Sequence, residues 1–165
     1  GFPFARHFFF HVAQAQAGRH FLQHLLSRVT TAERWSGGPD NPDTKGIARP
    51  DVTLNIGLTW NGLDALGVPT GTLSGFPTEF VDGMAQRADL LSDRRASDPE
   101  FWDRIWQRGI HEADRAVHIW VSLNAQMTAD ANPVAGLAGC ATRWRTLAAL
   151  AARSARSCSA PARCP

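Results

Sequence analysis

The stretch TLNIGLTWNGLDALGVP, residues 53–69, changes its hydrophobic period halfway along, and this change decides the fold. Together with the preceding residue, its first half has one apolar side, formed by Val52, Leu54, Ile56, Leu58 and Trp60. The intervening residues are polar or small: Thr53, Asn55, Gly57, Thr59 and Asn61. Because side chains in a strand alternate between faces, this pattern predicts a strand with one buried face. Leu63 and Leu66 then fall three apart, as in a helical turn, and Gly67 and Pro69 end that turn.

Further segments have a clear strand or helix period. Residues 6–13, RHFFFHVA, and residues 116–124, AVHIWVSLN, both alternate and predict strands. Residues 17–29 predict a helix whose apolar stripe consists of Phe21, Leu22, Leu25, Leu26 and Val29. A second main helix is predicted over residues 77–88, with an apolar residue every four positions at Phe76, Phe80, Met84 and Ala88.

A short third helix is predicted at Asp98. This residue is a capping Asp, Pro99 suits the first helical position, and Glu100 is an acid in the first turn. The inner face of this helix is expected to carry Phe101, Ile105 and Trp106, with Gly109 at its end.

The order of these elements predicts an α+β fold of the ferredoxin-like type. Strand, helix, strand, helix, short helix and strand follow one another, and a further short strand is expected between residues 30 and 50. The resulting βαββαβ order gives an antiparallel sheet with helices on one face. Residues 36–50 are rich in Gly, Pro and Asp and predict a loop.

Composition divides the chain of 165 residues at position 130. Residues 1–130 contain all 15 acidic residues and are predicted to form the folded domain. Residues 131–165 contain 11 alanines, five arginines, all three cysteines and no acidic residue. Within this tail, residues 141–152 predict a helix. The final RSARSCSAPARCP has no periodicity, which is typical of a disordered or frameshifted end.

The overall composition favours no particular partner. The net charge is +2, and no strand carries a basic patch interleaved with aromatic residues, so no nucleic-acid partner is predicted. No stretch reaches the roughly 20 apolar residues that a membrane span needs, so no membrane partner is predicted either. The opening GFPFARH lacks the layout of a secretory signal, and the cellular compartment stays open.

Histidines are the first candidates for metal ligands, and a simpler interpretation is favoured for each. His20 and His24 lie four residues apart on a helix, a spacing that can hold a metal, but both fall opposite the apolar stripe and predict solvated side chains. His7 and His11 share a strand face with Phe9, which favours a sheet-face or partner contact. Two histidines fit no recognised ligand pattern: His111 and His118.

The remaining candidates form no active-site motif. Asp40 lies in GGPDN, a near miss to G-x-x-D-G that its turn-rich loop explains. Trp102 and Trp106 share a helix face and predict core side chains rather than a redox relay. Motifs for a nucleophilic serine, a dinucleotide or a P-loop are missing. The sequence therefore assigns no catalytic, cofactor-binding or metal-binding residue.

Six segments carry a family resemblance. In order they are ARHFFFHVA, GRHFLQHLLSRVTTAERW, NIGLTWNGLDALGVP, GFPTEFVDGMAQRADLL, PEFWD and HIWVSLNAQ. They resemble the N-terminal half of the dye-decolorising (DyP-type) haem peroxidases over about residues 1–150. The resemblance implies a ferredoxin-like half-domain of the dimeric α/β-barrel type. It also implies the family reaction, the peroxide-dependent oxidation of dyes and phenolic compounds on haem iron.

The same resemblance puts the family's reactive residues outside this sequence. The distal Asp segment, the distal Arg and the proximal His of the family have no counterpart among these residues. Haem is therefore expected in the full-length family and not in this chain alone, which is expected to be an inactive fragment. Its expected partner is the missing C-terminal half, or a second copy bound through an exposed sheet face. The alternative is a stand-alone ferredoxin-like dimerising module that binds a small ligand or a protein partner.

Overall fold

The centre of the molecule is a three-stranded antiparallel sheet. The computed structural model describes residues 2–36, 46–112 and 115–137. Its strands are β1 (Phe4–Phe10), β2 (Val52–Leu58) and β3 (Ile119–Ala125). They lie in the order β1-β3-β2, and β3 pairs antiparallel with both neighbours. The predicted α+β fold with an antiparallel sheet is thereby confirmed, with strand ends shifted by up to three residues.

Helices occupy the connections between the strands. They are α1 (Ala15–Leu26), α2 (Trp60–Ala65), α3 (Thr70–Leu73), α4 (Thr78–Gln86), α5 (Ala88–Leu91) and α6 (Arg104–His111). No helix in the described ranges is long and apolar enough to cross a membrane. In the region of the additional predicted strand, Trp35 and Ile47 form an isolated parallel bridge. The predicted loop at 36–50 lies largely outside the described residues, as do Asp40 and the predicted tail helix at 141–152.

The core lies between α1 and one face of the sheet. In the sheet, Leu54 is only 4% exposed and Val121 is fully buried, and Phe21 and Leu25 of α1 pack against them. The predicted stripe is wrong at Leu26, which is 72% exposed because it turns away from the sheet beside Leu25. Leu137 also joins this core, so the first residues after position 130 pack on the same centre.

The transition from β2 to α2 follows the sequence pattern. The strand ends at Leu58, and Thr59 caps α2 because its hydroxyl accepts a hydrogen bond from the Gly62 amide. Trp60 is therefore the first helical residue and not the last residue of the strand. Gly67, at φ +80°, follows the helix and turns the chain.

The predicted helix over residues 77–88 is broken. Gly83 has φ 68° and ψ −177°, a conformation outside the helical region, and it separates the two halves of α4. The apolar residues spaced four apart therefore do not form a buried stripe: Met84 is 62% exposed and Phe76 is 37% exposed. Spacing alone could not reveal the break, because glycine in a helical pattern is only a weak signal.

The predicted third helix is also different from expectation. The Asp98 carboxylate accepts a hydrogen bond from the Glu100 amide, which confirms the cap, but the turn it caps is a short 3-10 turn at Pro99–Phe101. The following α6 continues past Gly109 to His111. The residues expected on the inner face of the predicted helix are exposed: Phe101 is 69%, Ile105 38% and Trp106 39% exposed.

Candidate functional site

The side of the sheet opposite α1, here called the second face, is the main candidate surface. Its side chains are those of Ala5, His7, Phe9, Thr53, Asn55, Gly57, Trp120, Ser122 and Asn124. Trp120 projects from the central strand and is 43% exposed. A Cβ on Gly57 would lie 3.1 Å from the indole ring, so glycine leaves the space in which that ring lies. The Trp120 indole N–H donates to Nδ1 of His7 at 3.3 Å.

Polar side chains occupy the middle of the second face. Thr53 and Ser122 are each only 6% exposed. The Asn124 side-chain amide donates to the hydroxyls of both, at 3.4 Å and 3.5 Å. These groups are linked to one another by hydrogen bonds, which is how buried polar groups are normally satisfied. The second face therefore combines one exposed aromatic side chain with a small hydrogen-bonded polar centre.

A cleft of about 950 Å³ borders this surface and lies between the end of β2, α4 and α6. Its lining includes the aromatic side chains Trp60, Phe80, Trp102 and Trp106 and the acidic side chains Glu79, Asp82 and Asp103. Trp106 is 39% exposed and contacts Phe9 of the second face, with ring centroids 4.9 Å apart. The prediction of Trp106 as a core side chain is therefore wrong. Trp102 is half-buried, and its indole N–H donates to the Ser97 carbonyl.

The histidines whose side chains the structure describes, a set that leaves out His111, fall into three different environments. His20 and His24 are exposed on α1, which confirms that they are solvated side chains. His7 lies on the second face beside Trp120, and this contact confirms the predicted sheet-face position. His11 and His118 contact one another, with ring centroids 4.4 Å apart.

Sequence reasoning missed the pairing of His11 with His118. The two residues lie one step beyond the last paired positions of β1 and β3, Phe10 and Ile119. The antiparallel register of β1 and β3 could have revealed this pair, because continuing that register past Phe10 places His11 opposite His118. Burial lowers the pKa of His118 below its ordinary value, and the nearby charge of His11 lowers it further.

The buried histidine of this pair, His118, does not fit the role of an axial haem ligand. The amide of Val12 donates to Nδ1 of His118 at 3.0 Å, so Nε2 of the neutral ring carries the proton and has no lone pair for iron. No histidine is among the described residues that line the cleft. Across the described ranges, no group of three or more His, Cys, Asp and Glu side chains is arranged to hold a metal ion.

Comparison with known proteins gives one match. Residues 3–130 match the family model described as the DyP dimeric alpha+beta barrel domain. The matched range covers more than half of the chain and contains strands β1 to β3 and helices α1 to α6. No curated protein matches the chain.

Proposed function

Because this chain belongs to the DyP family, we propose that it supplies one of the two sheets of the barrel in a DyP-type haem peroxidase. Enzymes of that type use hydrogen peroxide to oxidise dyes and phenolic compounds. The observation that carries the proposal is the second face. It lies opposite α1 on a sheet whose other face is already packed, and it presents Trp120 with 43% of its surface exposed.

A second sheet is the partner that suits this surface. Two packed sheets lie about 10 Å apart, and side chains from their inner faces interdigitate. Trp120 on the central strand is exposed enough to enter such an interface, and the partly exposed Asn124 offers an amide group on the same face. The second sheet would come from the C-terminal half of the enzyme or from another copy of this chain.

We propose further that the chain alone binds no haem and has no peroxidase activity. Two observations support this: no histidine is among the described residues that line the cleft, and the lone pair of His118 at Nδ1 already accepts the Val12 amide hydrogen. Haem, when bound in the complete enzyme, supplies the peroxide chemistry. The contribution of this chain is to form one wall of the barrel and to carry the hydrogen-bonded polar centre of the second face.

Titration with hemin tests the absence of haem binding and activity. Hemin is added to the 165-residue chain, and the Soret band and the peroxide-dependent bleaching of a dye are recorded. We expect no stoichiometric Soret shift and no bleaching above free hemin. Tight one-to-one binding accompanied by turnover would overturn this part of the proposal.

Pairing through the second face is tested separately, by size-exclusion chromatography with light scattering. Trp120→Ala removes an exposed aromatic from the second face, and Leu26→Ala is the matched control because it removes an exposed apolar side chain from α1. A central interface aromatic contributes about 2 kcal/mol or more, so Trp120→Ala should weaken association by at least about tenfold. Equal effects of the two substitutions would contradict the assigned surface.

A stand-alone dimerising module is the second candidate function, and the cleft is the observation that favours it. A cavity of about 950 Å³ with aromatic walls is in the size range of small-ligand sites. A module of this kind would be a soluble, cooperative homodimer whose melting temperature rises with a small aromatic ligand. A barrel half would instead be poorly soluble alone, because it exposes the apolar surface that its partner covers.

A further inference from the structure

The His11–His118 pair closes the corner where three elements meet. The His118 amide donates to the carbonyl of Phe10 at the end of β1, at 2.9 Å. The His118 carbonyl accepts from the Thr59 amide, which precedes α2, at 3.1 Å. One residue therefore joins the end of β1, the beginning of β3 and the cap of α2.

The two imidazole rings add a second set of contacts at this corner. The His118 ring accepts the Val12 amide hydrogen at Nδ1, in a buried position. The His11 ring donates from Nδ1 to the Ala116 carbonyl at 2.9 Å. Each ring is thus hydrogen-bonded to the backbone of the segment that continues the neighbouring strand. The centroids of the two rings lie 4.4 Å apart. Val12 is in turn a core residue, 9% exposed, that packs against α1 at Gly18.

His11 is the one ionisable group whose charge acts on His118 within the described residues. Besides His11, the residues that the structure records against His118 are uncharged: Phe10 and Val12 from β1 and its continuation, and Thr59 and Gly62 from the start of α2. Among the described residues shortly before β3, Arg115 and Glu112 form an ion pair with each other at 2.9 Å.

We propose that His11 and His118 form a pH-sensitive latch, which holds the corner between β1, β3 and α2 closed while both rings are neutral and releases it on acidification. His11 is exposed, and its Nε2 can accept a proton while Nδ1 keeps its bond to the Ala116 carbonyl. A proton on Nδ1 of His118 then removes the acceptor of the Val12 amide and places two like charges 4.4 Å apart. The latch opens because the buried Val12 amide N–H would then face the protonated Nδ1 of His118, and two donors cannot hydrogen-bond to each other.

The pH range of release follows from linkage. In the unfolded chain His118 titrates near its ordinary value of 6.5, whereas in the folded chain its pKa is lower. The unfolded state therefore binds more protons below about pH 6.5, and stability falls as the pH falls from there to the folded-state pKa. Within that window this residue should raise the unfolding equilibrium constant by up to about tenfold per pH unit.

Urea unfolding of the full chain between pH 8 and pH 5 tests the latch. His118→Gln keeps an acceptor for Val12 but cannot titrate, so its unfolding constant should rise less steeply with acid than that of the wild type. His11→Gln should reduce the slope in part, because it removes the neighbouring charge. His24→Gln, an exposed histidine of α1, is the control and should keep the wild-type slope. A wild-type slope in His118→Gln would overturn the proposal.

A spectroscopic measurement keeps the test decisive if His118→Gln does not fold. In wild-type protein, the amide resonance of Val12 and the ring resonances of His118 are followed by NMR over the same pH range. We expect the Val12 amide and the His118 ring to move together, with a midpoint below the ordinary histidine value of 6.5. A Val12 amide that stays unchanged while the His118 ring titrates would also overturn the proposal.

Discussion

The backbone of Gly62 in α2 lies directly against the carbonyl group of His118. A Cβ on Gly62 would stand 2.2 Å from that oxygen and 2.9 Å from its carbon. Such distances are shorter than any normal contact, so the first turn of α2 can meet the beginning of β3 only with glycine at this position. This contact explains why the glycine of NGLD follows so soon after the strand.

Gly62→Ala should destabilise the protein strongly, because the new methyl group meets backbone that cannot turn away. Overpacking of this kind costs about 1–3 kcal/mol and occasionally more. Thermal melting by circular dichroism measures the effect. Gly18→Ala is the comparison, since its Cβ would lie 2.7 Å from the Cδ2 atom of Leu66, the end of a flexible side chain. It should cost less, and the reverse order would contradict the geometry.

Thr59→Ala should destabilise α2 by about 1 kcal/mol, within a usual range of about 0.5–2 kcal/mol for lost helix caps. The substitution removes the acceptor of the Gly62 amide and also the hydroxyl that donates to the Val117 carbonyl, both at 3.0 Å. Urea unfolding provides the measurement. Thr59→Ser retains the hydroxyl and should recover most of the loss; an equally unstable serine variant would argue against the cap.

Gly83→Ala should destabilise by about 1–3 kcal/mol, although no atom lies within 4 Å of the new Cβ. The cost arises from the backbone, because φ 68° with ψ −177° is a conformation that residues with a side chain avoid. Gly71→Ala is the matched control: its Cβ also meets open space, and its helical conformation in α3 tolerates alanine. That variant should be neutral or slightly stabilising in the same melting experiment.

Leu25→Ala and Leu26→Ala form an adjacent pair that tests the placement of α1. Leu25 is fully buried, so its truncation leaves a cavity and should cost about 2–5 kcal/mol. Leu26 is 72% exposed and should change stability by no more than about 0.5 kcal/mol. Chemical denaturation of both variants decides the matter, and similar losses would mean that α1 is rotated from the position described.

The sheet and its core were predictable because a strand with one buried face has an apolar residue at every second position. Leu54 in β2 and Val121 in β3 could be assigned to the core from parity alone. The stripe on α1 was equally visible, apart from Leu26 at its margin. These features depend on the spacing of apolar residues that lie a few positions apart in the chain, and this spacing can be seen in a single sequence.

The region between β2 and β3 was predicted less well, because many of its apolar side chains are exposed and not packed in the core. Met84 and Phe101 keep helical spacing and remain exposed, so periodicity there indicated burial that does not occur. The contact of His11 with His118 depends on residues far apart in the chain. It could be found only by continuing the register of β1 and β3, and that register is not visible until the pairing is known.

The position of β3 in the centre of the sheet sets the order of events while the chain is being made. In the part of the chain that the structure describes, β1 and β2 are not hydrogen-bonded to each other, and each pairs with β3. His7 and its partner Trp120 are 113 residues apart. At about 5–20 residues per second, the ribosome needs several seconds after finishing β2 to deliver β3. During that interval β1 and β2 lack their pairing partner β3, and the apolar side of α1 lacks the complete sheet against which it packs. These are the segments that a chaperone would meet first.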